Sequence, residues 1–439
     1  MASTEAQVAH VWRRLGFGPG PDDVTTGVAR GGARAAIDDL LSRPTPTTNW
    51  QWPGGTVNDA AMTDATRQVE LMATSYPQVR ERVAWILQGI LVIAWGEVIG
   101  PAEMETHLNT LRSWPGRTYK DLLSTVVRSF GMQWYLSGIG SAPPHPNQNL
   151  ARELMELFSL GVTDPRTGTA NYTQTDVQEI ARALTGYVVD WSTRQMTLQA
   201  SSWDAGAKTF LGSARGPAGV SDVIDAVAAH PSFKHFIPHR LYVELVGLEP
   251  SAAALDALAT VWGSTGDIGA VVAAIARRPE FVSDAAIRSR VKSPVELVVS
   301  TARVLGVSEF SHLSLWWVLT NLRQHPFMPP NVSGWPSGPA WLHAGTLVNW
   351  SGPVQWITFS DSGAPDVPAN LQLPTVRRLF AQGTSATGGD LALKLAGLYD
   401  VSSQTLSAVR AYAASGTWDY PRAAATMCMV LQSPEFYVN

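Results

Sequence analysis

Apolar residues recur every three to four positions along most of this 439-residue chain, the spacing that lays them on one face of an α-helix. That period predicts helices over 4–15, 33–42, 58–73, 78–98, 102–114, 119–136, 149–160 and 173–184 in the first half. In the second half it predicts helices over 221–229, 233–246, 252–262, 268–277, 294–305, 313–324, 376–381, 390–398 and 422–431. Strand-like alternation is confined to 187–191 and 195–200, which read as one small hairpin. Gly and Pro gather at 44–56, 137–146, 201–217, 326–339 and 360–374, which read as loops. The expected fold class is therefore mainly α. A large multi-helical domain over 1–308 carries the β-hairpin excursion, and a C-terminal helical subdomain over 309–439 carries a Trp/Pro-rich loop.

One local pattern repeats. An apolar helix stopped by a Pro-containing turn and a Phe occurs at 271–281 and at 427–436, with a weaker copy at His230-Pro-Ser-Phe233. It reads as a helix-ending device in which Phe seals the core, since two or three scattered copies do not make a solenoid.

Two of the predicted helices depart from an otherwise charge-poor chain. Asp, Glu, Lys and Arg make up 15% of residues, against about 25% in a typical soluble protein. Yet 147–161 and 172–186 are dense in Asn, Gln, Arg, Glu, Asp and Thr. Asn149, Arg152, Glu153 and Glu156 share one helix face. Asp176, Glu179 and Arg182 share a face of the next helix, which Thr173 opens as N-cap with Asp176 completing a capping box. A polar stripe beside a core stripe is solvated, paired or lining a cavity. One reading is a structural network in which Arg152 pairs with Glu179, or Arg182 with Glu153 or Glu156. The other is a pocket with paired carboxylates, one buried and protonated as acid, its partner ionised.

Composition narrows the function class. The net charge of −4 and the lack of a basic stripe argue against nucleic-acid binding. A single cysteine, Cys428, set among Met427, Met429 and Val430, excludes an intramolecular disulfide and reads as a buried thiol. The longest apolar run, 83–95, is too short to span a bilayer. The polar N-terminus reads as cytoplasmic as written, with an exported mature form left open. Nine histidines supply no His-Glu-x-x-His motif and no pair of Glu-x-x-His motifs, so no metal ligands are assigned and the cofactor stays unknown. His230, His235 and His239 read as surface or capping groups, and His145 stands in the loop leading into the first polar helix as a candidate proton shuttle. Asn171, Thr175 and Glu179 have the spacing of a magnesium–diphosphate triad in terpene cyclases, although no aspartate-rich partner motif accompanies them. Among 17 tryptophans, Trp50, Trp52, Trp335, Trp341 and Trp350 lie in or beside loops, either stapling them down or forming a stacking rim.

Several segments taken together resemble a known family. They are Arg14-Leu-Gly-Phe-Gly-Pro19, 147–161, 172–186, Lys208-Thr-Phe-Leu-Gly212, His230-Pro-Ser-Phe233, Val291-Lys-Ser-Pro-Val-Glu296, 326–336 and Trp341-Leu-His343. In this order the chain resembles the bacterial domain of unknown function numbered eighteen-hundred, over essentially its whole length. The resemblance implies no settled activity. It implies frequent export and frequent gene proximity to a sulfatase-like family, hence envelope, glycan or secondary-metabolite chemistry. Many members carry Trp-His-Asn-His-Phe where this chain has Ile86-Leu-Gln-Gly-Ile90, and His-Asp where it has Trp203-Asp204. Any metal site built on those histidines is lost here.

The expected function is an enzyme using carboxylate acid/base chemistry on a glycan or small secondary metabolite. Glu153, Glu156 and Glu179 are the catalytic candidates. Arg152, Arg182, Asp176, Asn149 and His145 are expected to bind or position substrate, with Trp335 and Trp341 at the rim. The alternatives are a non-catalytic envelope or pathway partner of a sulfatase-like protein, and a magnesium-dependent cyclase-like enzyme.

Overall fold

The computed structural model describes residues 1–42, 57–96, 98–310, 312–342, 344–359 and 373–439. Five helices open the chain: α1 (Thr4–Arg14), α2 (Asp23–Ala29), α3 (Ala33–Ser42), α4 (Val57–Thr74) and α5 (Gln78–Gln88). Next come α6 (Pro101–Arg112), α7 (Tyr119–Arg128), α8 (Phe130–Tyr135), α9 (Asn149–Glu156) and α10 (Gln174–Ala183). Two antiparallel hairpins follow, β1 (Tyr187–Asp190) with β2 (Gln195–Leu198) and β3 (Lys208–Phe210) with β4 (Ser213–Gly216). Beyond them lie α11 (Val220–Ala229), α12 (Phe236–Val246), α13 (Ala252–Trp262), α14 (Ile268–Ala276) and α15 (Pro294–Leu305). The C-terminal part holds α16 (His312–Leu322), α17 (Ala344–Phe359), α18 (Pro374–Gln382), α19 (Gly388–Leu395), α20 (Ser403–Ala414) and α21 (Tyr420–Leu431). The protein is mainly α, with β1 and β2 paired as the sequence predicts: Tyr187 opposite Leu198 and Asp190 opposite Gln195.

Side chains fill two apolar cores. The first gathers the buried faces of α1, α5 to α7 and α9 to α14. The second gathers α15 to α21 together with Phe17 and with Ala65, Val69 and Met72 of α4, so it draws on residues from both sides of position 308. Helix α15 is buried at every position except Arg303. The repeated Pro–Phe device is a short 3-10 turn each time, at Pro231–Lys234, Pro279–Val282 and Pro434–Phe436. Its Phe side chains, Phe233, Phe281 and Phe436, are all buried. Among the described residues, no helix is long and apolar enough to cross a membrane.

Three predicted elements are corrected, and three helices stand where none is predicted. The helix expected over 78–98 stops at Gln88, and the backbone turns at Gly89. Gly89 O accepts from Arg240 Nη2 at 3.3 Å, and Trp95 N donates to Phe327 O at 2.8 Å. Tertiary partners thus take the peptide groups that a continued helix would pair. The helix expected over 119–136 breaks at Ser129, whose extended backbone and hydroxyl cap a new helix at Met132 N. The loop expected over 201–217 contains β3 and β4, strands of three and four residues with no alternation long enough to read. Helices α2, α17 and α20 lack predicted counterparts; α17 carries Pro353 in its interior, which argues against a helix on local grounds. Trp50, Trp52, His343 and most of 360–374 lie outside the described residues.

Candidate functional site

The two polar helices pack together, but their ions sort into separate groups. On α10, Glu179 receives two hydrogen bonds from Arg182 Nη1, both at 2.9 Å. Arg182 also grips Asp204 at 2.7 and 3.1 Å. Those bonds hold the Arg182 pKa above its usual value, Asp204 contributing most. Glu179 and Asp176 then turn outward to the second hairpin: Thr209 N donates to Glu179 at 3.1 Å and Leu211 N to Asp176 at 2.7 Å. Asp176 also closes the capping box with Thr173. The carboxylates of α10 therefore clamp β3 to the helix. Arg182 pairs with Glu179 and Asp204 rather than with Glu153 or Glu156. Its reach three residues back along α10 and across to the 204–208 turn decides this.

Helix α9 keeps its acids. Arg152 does not pair with Glu179; it donates to Gln174 Oε1 at 3.0 Å, and Gln174 in turn donates to Gln148 at 2.8 Å. Glu156 accepts from Tyr172 OH at 3.2 Å. Glu153 is half-buried. Burial first, and then the charge of Glu156, raises its pKa, with Arg152 opposing. Burial and the same acids raise Tyr135 and Tyr172. Neither Glu153 nor Glu156 lines the cavities described below. Asn149 is exposed and its N–H is bonded to Asn147 Oδ1 at 2.8 Å. His145 is exposed in the preceding loop.

The other candidates have local duties. Asn171 is buried and its amide donates to Leu160 O, Gly161 O and Ser232 Oγ at 2.8, 3.0 and 3.1 Å. It lies before α10, so Asn171, Thr175 and Glu179 do not share one helix face as the triad spacing requires. His230 caps Ser232 N, His235 meets Asp164 at 2.9 Å and His239 meets Glu249 at 2.7 Å. Trp341 is 5% exposed rather than at a rim. It donates to Pro336 O at 2.8 Å and packs on Trp335 with ring centroids 6.2 Å apart. Trp350 is fully buried in α17, donating to Leu431 O.

Trp335 instead stands at a cleft of about 100 Å3 shared with Trp85, Gln88, Arg240, Glu244, Arg290 and Gln324. Its floor is a buried chain of ions. Glu296 accepts from Arg82, from Arg290 Nη1 at 2.8 Å on both oxygens, and from Ser293 N at 2.7 Å. Arg290 Nη2 reaches Glu244 at 2.7 Å. Burial alone would raise the Glu296 carboxyl, but Arg290 and Arg82 override it and hold its pKa well below the usual range. Burial works against the charge of Arg290 too, and Glu244 and Glu296 more than offset it. Burial lowers the Arg240 pKa, with Glu244 opposing in part. Beneath them Arg14 bonds Val246 O, Ala286 O and Ser289. Among the described residues, Arg82, Arg240 and Arg290 stand against Glu244 and Glu296, an excess of positive charge, while burial, then the charges of Arg290 and Arg82, pushes the Arg14 pKa well below its usual value. Nε and Nη2 of Arg82 have no hydrogen-bond partner among the described residues.

The walls are fitted to this floor. Gln88 Nε2 donates to Pro326 O at 2.9 Å, and Gln324 Oε1 accepts from Val295 N at 2.9 Å. Gly334, at φ +83°, sits so close that a Cβ would lie 3.0 Å from Gly89 O. The segments 291–296 and 326–336, with Arg14 below, carried the family resemblance, and they meet here beside 86–90, where the chain departs from the family pattern. Sequence reasoning missed Arg82, Arg240, Glu244, Arg290 and Glu296. The available signal was charge inside an apolar helix, Arg80-Glu-Arg82, and the Ser293–Glu296 capping box. It also missed Asp64 on α4, which is solvent-inaccessible and has no hydrogen-bond partner among the described residues. Burial, then the charge of Glu105, raises its pKa to about 8.

Fold and site together define a mainly helical protein with a small cleft floored by a buried arginine–carboxylate network. The chain belongs to the family described as protein of unknown function (DUF1800), whose family model matches residues 10–438. No curated protein and no solved structure matches it.

Proposed function

We propose that this protein is an enzyme that takes a small anionic metabolite into the Trp335 cleft and exchanges a proton with it through Glu244. The observation that carries this reading is the charge of the cleft: Arg240 and Arg290 line it, and Glu244 is the only carboxylate among its lining residues. An apolar cavity of about 150 Å3 admits benzene, so about 100 Å3 suits a carboxylate, phosphate or sulfate group. Guanidinium groups are matched to such oxyanions by their planar fork. Trp85 and Trp335 at the mouth would hold the body of the metabolite. Glu296 is pinned by two arginines out of reach of solvent, whereas Glu244, held by Arg290 alone, is partly open and lines the cleft.

The test is a melting series with phosphate, sulfate, acetate and citrate at low ionic strength. A ligand at a hundredfold excess over its Kd stabilises by about 2.7 kcal/mol, a rise of roughly 3–5 °C. At least one anion should give it, and Arg240→Met should remove it. Equal shifts in parent and variant, or none from any anion, would sink the proposal. With a turnover assay in hand, Glu244→Gln should lower kcat by about 10²-fold or more.

One observation favours a second location for the chemistry, the raised and half-buried Glu153 beside Glu156 and Tyr172. If Glu153→Gln abolishes turnover and Glu244→Gln spares it, the acid pair of α9 is the reacting centre.

A further inference from the structure

Away from the cleft, α6, α7, α8 and the tip of the first hairpin enclose a groove of about 630 Å3. That lies within the range of about 300–1,000 Å3 usual for small-molecule sites. On one wall Thr106 and Thr110, one turn apart on α6, each donate to the carbonyl four residues back at 2.8 Å. Their lone pairs remain free to accept from a ligand hydroxyl. The opposite wall is the turn between β1 and β2. Asp190 Oδ1 fixes that turn by accepting from Ser192 N at 2.9 Å, Ser192 Oγ at 2.6 Å and Thr193 N at 3.4 Å. Arg194 closes it at φ +57°, a conformation few non-glycine residues adopt. The groove side holds it there: its guanidinium lies 4.9 Å over Phe130, 5.3 Å over Trp191 and 3.8 Å from Glu103.

The edge of this groove is aromatic. Trp134 and Trp191 meet edge to face at 5.6 Å, and Phe130 packs on both at 6.4 and 6.0 Å. The two indoles stay 39% and 54% exposed. Single exposed apolar side chains need no explanation, but two that touch beside a groove form a patch. The ions of the groove are already committed. Glu103 faces Arg194, while Arg128 donates to Ser124 O at 3.2 Å and Ser221 Oγ at 2.8 Å. His107 at its base is neutral at pH 7, because burial lowers its pKa to about 4. A single-stranded nucleic acid requires a basic track along its backbone, and these committed ions do not make one. Exposed rings, free hydroxyl acceptors and the Glu103–Arg194 pair match a polyol with apolar ring faces.

We propose that this groove and its aromatic edge bind a neutral oligosaccharide, sugar faces stacking on Trp134 and Trp191. Its hydroxyls are bonded by Thr106, Thr110, Gln195 and the Glu103–Arg194 pair. The site shares only Ile93 with the anion cleft and stands or falls independently of it.

Calorimetric titration with chitohexaose, cellohexaose and maltohexaose tests this, using the full chain and following tryptophan fluorescence in parallel. At least one probe should bind with a Kd below about 1 mM and quench the fluorescence. The Trp134→Ala/Trp191→Ala variant should weaken that binding by at least about tenfold. Trp317→Ala, an indole 52% exposed on α16, should leave it unchanged. Thr110→Val provides a second lesion in the groove if the double variant fails to fold, and should also weaken binding. No binding of any probe at about 10 mM overturns the proposal. So does binding that survives the folded groove variants, or that falls equally with Trp317→Ala.

Discussion

Replacing Glu296 with Gln tests the ion network beneath the cleft. Glu296 is 1% exposed and accepts from Arg82, twice from Arg290 and from Ser293 N. Gln keeps the shape and one acceptor oxygen but removes the charge. Arg290 would retain Glu244, whereas Arg82 would be left with no carboxylate. Two of Arg82's nitrogens are already without hydrogen bonds. Breaking a buried pair by deleting one partner costs about 3–5 kcal/mol, a large share of a typical stability of about 5–15 kcal/mol. With an m-value of about 3 kcal/mol/M, the urea midpoint should fall by about 1–1.7 M. Arg82→Met should cost distinctly less, under about 2 kcal/mol, because Glu296 would still hold Arg290 and Ser293. The pH dependence has a definite sign. The folded pKa of Glu296 lies below the unfolded one. Its contribution is therefore fully present above about pH 4.3 and is lost as pH falls towards the folded value. The gap between parent and Glu296→Gln should close in acid. A loss below about 1 kcal/mol, or a larger loss from Arg82→Met than from Glu296→Gln, would refute the reasoning.

Asp64 should behave with the opposite sign. Its folded pKa of about 8 exceeds the unfolded value of about 3.9, so its ionisation costs stability that is absent below pH 4 and grows until pH passes 8. Asp64→Asn should therefore melt higher than the parent by an amount of order 2–5 kcal/mol at pH 8 and match it near pH 4; melting curves that stay parallel across that range would contradict the burial argument. Arg182→Met should release the β3–β4 hairpin from α10 at a cost of about 1–3 kcal/mol, read as new protease cleavage within 204–216 while the rest of the chain stays resistant. Unchanged protection of that segment would show that the Glu179–Arg182–Asp204 clamp is dispensable.

The fold class was legible because helical periodicity is a local property, which α9 shows alone and α10 and α15 show together with their own capping boxes. The misses share a cause in tertiary structure. Nothing in the apolar run after Gln88 announces a stop; Arg240, some 150 residues on, captures the Gly89 carbonyl. The clamp on β3 needed Asp204, which sequence proximity to Arg182 did not suggest. The polar stripes of 147–161 and 172–186 were visible because charge is scarce in this chain, and they led to Glu153 and Glu156 as an acid pair. The cleft was invisible for the complementary reason. Its ions come one or two at a time from α5, α12, the turn before α15 and α15 itself, and only folding sums them into an excess of arginine. Trp335 was singled out for its loop, and the structure gives that loop a floor of guanidinium groups.

The central claim is that this floor receives an anion, and the most direct measurement is a crystal structure grown with selenate, using anomalous scattering to place it. The account predicts a selenium peak in the Trp335 cleft within hydrogen-bond reach of both Arg240 and Arg290, and its loss in Arg240→Met. A cleft holding only water, with selenate elsewhere or absent, would contradict it.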